Sequence, residues 1–300
     1  NLQMLSSFPT VGQGDTIGST FTQRSLTTTS VSSGTEDSDG ASTSIKRERR
    51  KRQKSKITKS LSDLGVYTRG YKWRSFSSPE SQRFNHVYSF AERSFEGICR
   101  DPENEWLLGK HNRKFLTRVY PSGFRLRSSN FDPLKFWKHG VQMAALNWQT
   151  YDLGMQLNQA MFAAGTDRTG YVLKPEALRI SSMFDEEKKM ERKLVRFEVD
   201  VISAQQLPRP RSIGPDDNLN PFVEIEMFSA DDRGQSLVVG EGGMDASARN
   251  GVSGIGFPHR RRTKIEQSNG YSPIFNDRFK LSLETSYPDL VFVRWTVSSS

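Results

Sequence analysis

A single cysteine, Cys99, stands among 300 residues, so no internal disulfide can hold the fold, and the chain suits a reducing compartment. No apolar run approaches the ~18 residues needed to cross a bilayer. The N-terminus has no basic segment followed by an apolar one, so no secretory leader is visible. Histidine is scarce as well: His86, His111, His139 and His259 are scattered, and none sits beside a carboxylate pair or another ligand at metal spacing. The chain therefore offers neither an acid/base pair nor a metal motif. Apolar residues make up only 34% of the chain, and the shortfall is concentrated in the first 56 positions.

Those first positions explain much of the composition. Residues 1–45 hold nineteen Ser and Thr and five Gly with no period of 2 or 3.6, too little apolar surface to offset chain entropy. The segment 1–57 reads as a disordered linker. Its end, "KRERRKRQKSK" at 46–56, carries eight basic residues against Glu48 and so most of the formal net charge of +9. Such a run fits an anionic membrane surface or a solvated linker beside one. A nucleic-acid patch is the competing reading, set aside here as the main function.

From residue 58 the texture changes. Strand-like stretches at 60–67, 115–120, 141–148 and 170–175 alternate with helix-like ones. "SPESQRFNHVYS" (78–89) opens with Ser78 at an N-cap and Pro79 at the first helical position. "SFAERSFEGICR" (89–100) has Ser89 and Glu92 at capping-box spacing and would seat Cys99 on a helix as a small hydrophobe. "DLGMQLNQAMFAAG" places Leu153, Leu157, Ala160 and Met161 at helical spacing and stops at Gly165. This rhythm predicts parallel strands with crossover helices. The nearly unbroken apolar run in 141–148 suits a strand covered on both faces. Four such strands do not close a barrel, which takes ~250 residues when complete; they make either a small open sheet or half a barrel.

After the charged stretch 185–193 the period becomes 2. "LVRFEVDVI" (194–202) puts Val195, Phe197, Val199 and Val201 on one face; "FVEIEMF", "FKLSLE" and "LVFVRWTV" follow suit. Turn-rich segments separate them, the longest from Ser229 to Phe257. That pattern is an antiparallel sandwich. The chain opens on Asn1 and stops soon after a strand-like run, as a piece of a longer protein would.

"YPSGFRLRSSNFDPLKFWKHGVQMAALNWQT" with "GYVLKPEAL" resembles the Y half of the catalytic barrel of eukaryotic phosphoinositide-specific phospholipase C. "LVRFEVDVISAQQLPRP" and "NPFVEIEM" resemble the C2 domain that follows it in that family. The resemblance implies a disordered X–Y linker at 1–57, half of a TIM-like (β/α)8 barrel at 58–180 and an incomplete all-β C2 sandwich at 194–300. It implies calcium-dependent cleavage of phosphatidylinositol 4,5-bisphosphate to diacylglycerol and inositol 1,4,5-trisphosphate by a cytoplasmic protein that associates peripherally with membranes. The catalytic histidines and the calcium ligands would lie in the X half, outside this chain, which alone would be inactive. A scaffold that binds phosphoinositides without cleaving them is the alternative. Protein activators cannot be read from these residues.

Arg118 and Tyr120 are two apart on a strand, share a face and precede the turn Pro121-Ser122-Gly123. By spacing alone they fit a surface salt bridge and a core aromatic as well as a phosphorylated ring bound at a strand end. The resemblance assigns the arginine to a ring phosphate and the tyrosine to stacking on the inositol. It also assigns Ser89 to the same phosphate, and Phe124 to an apolar ridge that meets the lipid, core packing being the other reading of that aromatic. Lys174, at the end of the last expected strand, fits a phosphate ligand and structural packing equally and is left out of the site. In the sandwich, Asn220 stands where a calcium-binding C2 domain would have aspartate, with Asp216 and Asp217 offset nearby and Ser298, Ser299 and Ser300 where a second acidic loop would begin. The expectation is no metal site in this chain.

Overall fold

The parallel sheet is built on an alternation that buries one face of its two central strands. The computed structural model describes residues 3–6, 60, 65, 67–163, 169–180, 191–211, 213–231, 239–246 and 259–300. Strand β1 (Gln3–Ser6) is followed by β2 (Arg69–Tyr71), β3 (His86–Ala91), β4 (Leu116–Tyr120) and β5 (Met143–Ala144). The last four form one sheet in the order β2-β3-β4-β5, every pair parallel. His86, Tyr88 and Phe90 of β3 and Thr117 and Val119 of β4 are buried, while their neighbours are more accessible. Against the buried face pack helices α1 (Glu92–Ile98) and α2 (Pro102–Lys114), which contribute Phe95 and Leu108 to a core shared with Phe131, Phe136 and Met155. Helix α2 is well signalled locally. Asp101 accepts from the Asn104 N–H, Pro102 opens the helix, Glu103 and Glu105 lie in its first turn, and His111, Arg113 and Lys114 lie in its last, matching the dipole at both ends.

Two short helices complete this part, α3 (Leu134–Trp137) and α4 (Leu153–Ala163). The second part is a sandwich of β6 (Lys193–Ser203), β7 (Pro221–Ser229), β8 (Val239–Glu241), β9 (Met244–Asp245), β10 (His259–Arg262), β11 (Ile274–Thr285) and β12 (Val291–Ser299). One sheet runs β1-β12-β7-β10-β9 and the other β6-β11-β8. All pairs are antiparallel except β1 with β12. Phe197, Ile225, Phe279, Leu281 and Val293 fill the space between the sheets.

The two parts share a core. Leu134, Trp137, Leu153, Leu157 and Met161 cluster with Phe228, Leu290 and Phe292 of the sandwich. Above this junction Glu226, 1% exposed, receives Arg260 and Arg294, and Arg294 also donates to Gln156 Oε1 on α4 at 3.1 Å. A buried carboxylate held by two guanidiniums satisfies the cost of removing its charge from water. Among the described residues no helix is long and apolar enough to cross a membrane.

Several expectations are corrected. The first sheet strand is Arg69–Tyr71, not 60–67; most of 60–67 lies outside the described residues, and Gly65 and Tyr67 are not in a strand. The helix expected over 78–89 is a short 3-10 turn, Pro79–Gln82, after which β3 begins, because alternation rather than helical period buries Tyr88 and Phe90. The 141–148 strand shrinks to two residues, with Met143 and Ala144 half-buried rather than covered on both sides. Residues 170–175 form no ladder: exposed Tyr171 and Leu173 alternate with half-buried Val172 and Lys174, but no neighbouring strand pairs with them, and Pro175 offers no N–H. Of the linker 1–57, only Gln3–Ser6 falls within the described residues, and it is a strand where none was expected. Gly165 and residues 185–190 also lie outside.

Leu157 is fully buried at the junction, so Leu157→Ala is expected to lower stability by about 2–5 kcal/mol, read by urea unfolding.

Candidate functional site

Parallel pairing of β3 with β4 sets Ser89 opposite Arg118 and Ala91 opposite Tyr120. Ser89, Arg118 and Tyr120 therefore lie on the sheet face turned away from the aromatic core, toward the carboxyl ends of the strands. Ser89 is exposed, and Arg118 and Tyr120 are half-buried. The Arg118 Cζ lies 5.2 Å from the centre of the Tyr120 ring, within cation–π range. Among the described residues no carboxylate pairs with Arg118. The surface salt bridge and the core aromatic that spacing left open are thus not what forms. What does form is an unneutralised guanidinium, an aromatic face and a hydroxyl on one open surface, a set suited to a phosphorylated ring.

One detail of the sequence reading fails here. Ser89 does not cap a helix: α1 starts at Glu92 with Ala91 at its N-cap, and Ser89 is a mid-strand residue paired with Arg118 of β4, one position past the end of the ladder with β2. Its hydroxyl is left for other partners. Cys99 is the residue that ends α1 and is half-buried.

Beyond β4 the chain makes a loop through Pro121 to Asn130. The Ser122 hydroxyl accepts from the Phe124 N–H at 3.3 Å and the Ser122 carbonyl from Arg125 N–H at 3.0 Å. Phe124 is 76% exposed, so core packing is not its role, and the Arg93 Cζ lies 4.6 Å from its ring centre. The reading from sequence missed three more exposed apolar side chains on these loops: Leu126 at 91%, with Trp148 and Tyr151 in the loop after β5. The two loops are stitched at their base. Asn130 donates to the Thr150 and Asn147 carbonyls and to Asp152, and accepts from the Asn147 N–H at 2.6 Å. Gly154 is required where they meet, because a Cβ there would lie 2.5 Å from the Phe131 carbonyl oxygen.

The histidines lie elsewhere. His86 Nδ1 sits 3.1 Å from both the Glu80 carbonyl and the Tyr88 hydroxyl and stacks on Tyr71. His111 is buried, with Nε2 3.0 Å from the Ser81 carbonyl, and burial pushes its pKa down. His139 Nε2 is 3.6 Å from Glu105. The side chain of His259 lies outside the described residues. Lys174 donates to the Asn112 carbonyl at 2.8 Å and the Gly140 carbonyl at 3.4 Å, a structural tie, and burial followed by the Arg113 charge lowers its pKa.

In the sandwich, Asn220 Oδ1 accepts from the Ser268 N–H at 2.9 Å and Asp217 from the Gly214 N–H at 2.9 Å. Asn220 and Asp217 thus shape loops. Among the described residues no group of three or more His, Cys, Asp or Glu could hold a metal ion.

Residues 61–177 match the family model described as phosphatidylinositol-specific phospholipase C, Y domain. Over 262 residues the chain is 41% identical to the 1-phosphatidylinositol 4,5-bisphosphate phosphodiesterase 1 of Candida albicans, covering 84% of this chain and 23% of that protein. The chain belongs to the eukaryotic phosphoinositide-specific phospholipase C family. The human phosphodiesterase gamma-2 is 35% identical over 240 residues, 79% of this chain and 16% of that protein. The chain thus spans about a quarter or less of these relatives. A crystal structure of L. pealei PLC21 matches with a TM-score of 0.58 at 24% identity, covering 83% of this chain and 28% of that one. That likeness speaks for the fold, across both the sheet and the sandwich. Within the phospholipase Y domain fall Ser89, Arg118, Tyr120 and Phe124 together.

Asp132 lies at the start of α3, where its Oδ1 accepts from the Leu134 N–H at 3.0 Å. Burial outweighs that bond and the nearby Lys135 and Lys138, and pushes its pKa up to about 6. A raised carboxyl pKa means that the ionised form is penalised in the folded state. The stability present below the unfolded value near 4 is lost as pH rises through about 6. Asp132→Asn is therefore expected to raise stability at pH 7.5 by up to about 3 kcal/mol and to change little near pH 3.5. Urea unfolding at the two pH values measures the difference.

Proposed function

We propose that this chain supplies the head-group recognition surface of a phosphoinositide phospholipase C that cleaves phosphatidylinositol 4,5-bisphosphate to diacylglycerol and inositol 1,4,5-trisphosphate. The observation that carries the reading is the Arg118 guanidinium, without a carboxylate partner among the described residues, set beside Tyr120 and opposite Ser89 on the open sheet face. The printed names of the relatives, phosphodiesterases of that lipid, support it.

In this reading Arg118 takes a ring phosphate through its paired N–H groups, Ser89 donates to the same phosphate, and Tyr120 lies against the apolar face of the inositol. Phe124 enters the lipid interface beside them, where an aromatic ring gains from leaving water. Among the described residues His86, His111 and His139 hold structural contacts away from this surface, and in this reading proton transfer falls to residues outside the chain. Calcium is assigned by the family resemblance to the other barrel half, and no step is given to it here. The sandwich is taken as a C2 domain that braces the barrel half through Phe228, Phe292 and Arg294 rather than as a calcium sensor. The protein would work at the anionic cytoplasmic face of a membrane, with a phosphoinositide lipid as its substrate.

The test is hydrolysis of vesicle-borne phosphatidylinositol 4,5-bisphosphate by the full-length protein that carries this sequence. Losing a charge-assisted contact of about 1.5–3 kcal/mol predicts at least a tenfold loss in Arg118→Ala with the fold intact, and no release by the 300-residue chain alone. Wild-type activity unchanged in Arg118→Ala overturns the site. A folded wild type that binds vesicles and cleaves nothing replaces the enzyme with a phosphoinositide-binding scaffold.

A further inference from the structure

Glu92 is a carboxylate only 8% exposed, three residues past Ser89. Its neutralising partner comes from the loop after β4: Arg125 Nε donates to Glu92 Oε2 at 2.8 Å. The other end of the same guanidinium donates to Ser129 Oγ at 3.2 Å and to the Asn130 carbonyl at 3.0 Å. Asn130, itself buried, donates its backbone N–H to Asp152 at 2.7 Å and its amide to the other Asp152 oxygen at 2.9 Å. Asp152 in turn accepts from the Met155 N–H at 3.2 Å, at the start of α4. One polar chain thus ties the first residue of α1, directly after β3, to the loops that follow β4 and β5.

Within that chain Arg125 is the member that joins α1 to the loop after β4. It is also the immediate neighbour of Phe124 and lies five residues past Tyr120. We propose that Arg125 is a positioning residue: by clamping the end of β3 to the loop after β4, it fixes Phe124 relative to Ser89, Arg118 and Tyr120. This deepens the head-group reading and rests on it. Arg125 touches neither ring nor phosphate in this assignment, since its donors are directed to Glu92, Ser129 and the Asn130 carbonyl. A lysine cannot replace it, because one ammonium lacks the planar fork that reaches Glu92 and the Asn130 carbonyl from opposite ends. The consequence is selective. Loosening the loop disturbs a lipid that must be met at the membrane and at the ring together, and spares a head group that arrives free in solution.

The experiment uses the full-length protein with Arg125→Ala, Arg125→Lys, Glu92→Gln and the Glu92→Gln/Arg125→Ala double variant. Backbone hydrogen exchange over 121–130 is followed alongside hydrolysis of vesicle-borne phosphatidylinositol 4,5-bisphosphate and of a water-soluble short-chain analogue. Arg125→Ala is expected to speed exchange over 121–130 by roughly fivefold or more and to cut vesicle hydrolysis by about tenfold. Turnover of the soluble analogue should fall less than about threefold. Arg125→Lys should restore only part, and the double variant should be no worse than Arg125→Ala alone, the signature of one shared interaction. Unchanged exchange over 121–130 overturns the proposal, as does equal loss on both substrates or full rescue by lysine. A wild type that cleaves neither substrate defeats the phospholipase reading, and exchange over 121–130 then still decides whether Arg125 holds the loop.

Discussion

The parallel ladder between β3 and β4 sets Ser89 opposite Arg118, and the candidate site follows from that register. A slip of one residue on either strand would turn its polar side chain into the aromatic core and bring Tyr88 or Val119 to the open face. The buried side chains hold the register. Tyr88, Phe90 and Val119 lock into Phe95 and Leu108 of the flanking helices, so the energy that specifies pairing is stored on the face away from the site. The open face is then free to carry a cation and a hydroxyl. The apolar core does not have to accommodate them.

The same division of labour extends to the sandwich. Helices α3 and α4 bury their apolar sides against β7 and β12, and Arg294 reaches across to Gln156. Glu226 is a buried charge whose two guanidinium partners lie on neighbouring strands, so it orders the sheet that α4 rests on. Helix α4 begins where Asp152 closes the polar chain from Arg125. The sandwich thus supports the rim loops from behind through a helix that both share. Bracing is the physical role its contacts describe.

Much of this was legible from residues. β4 and α4 were read nearly to their ends, because "FLTRVY" alternates and Leu153, Leu157, Ala160 and Met161 keep helical spacing. The four long sandwich strands were equally plain from period 2. β3 was not. Its stretch carries Ser89 and Glu92 at a capping-box distance, and that local signal competes with the alternation of His86, Tyr88 and Phe90; pairing on both edges decided in favour of the strand. β5 and 170–175 were overread because apolar runs suggest strands whether or not a partner strand is present. Arg118, Tyr120 and Phe124 stand out in the sequence through the family resemblance, since spacing alone leaves a salt bridge and core aromatics equally open. Arg125 and Asn130 were not found, since their partners lie 33 and up to 22 residues away in sequence and a half-buried arginine in a loop looks like any exposed one. Trp148 and Leu126 were passed over for a similar reason: exposure of an apolar residue is a tertiary property.

The central claim is that the open face of β3 and β4 receives a phosphorylated inositol. A crystal structure of the full-length protein with inositol 1,4,5-trisphosphate tests it directly. The account predicts one ring phosphate within ~3 Å of the Arg118 guanidinium and the Ser89 hydroxyl, with the Tyr120 ring against the inositol. A ligand bound in the barrel with its phosphates held by other residues, and with Arg118 and Ser89 untouched, would contradict it.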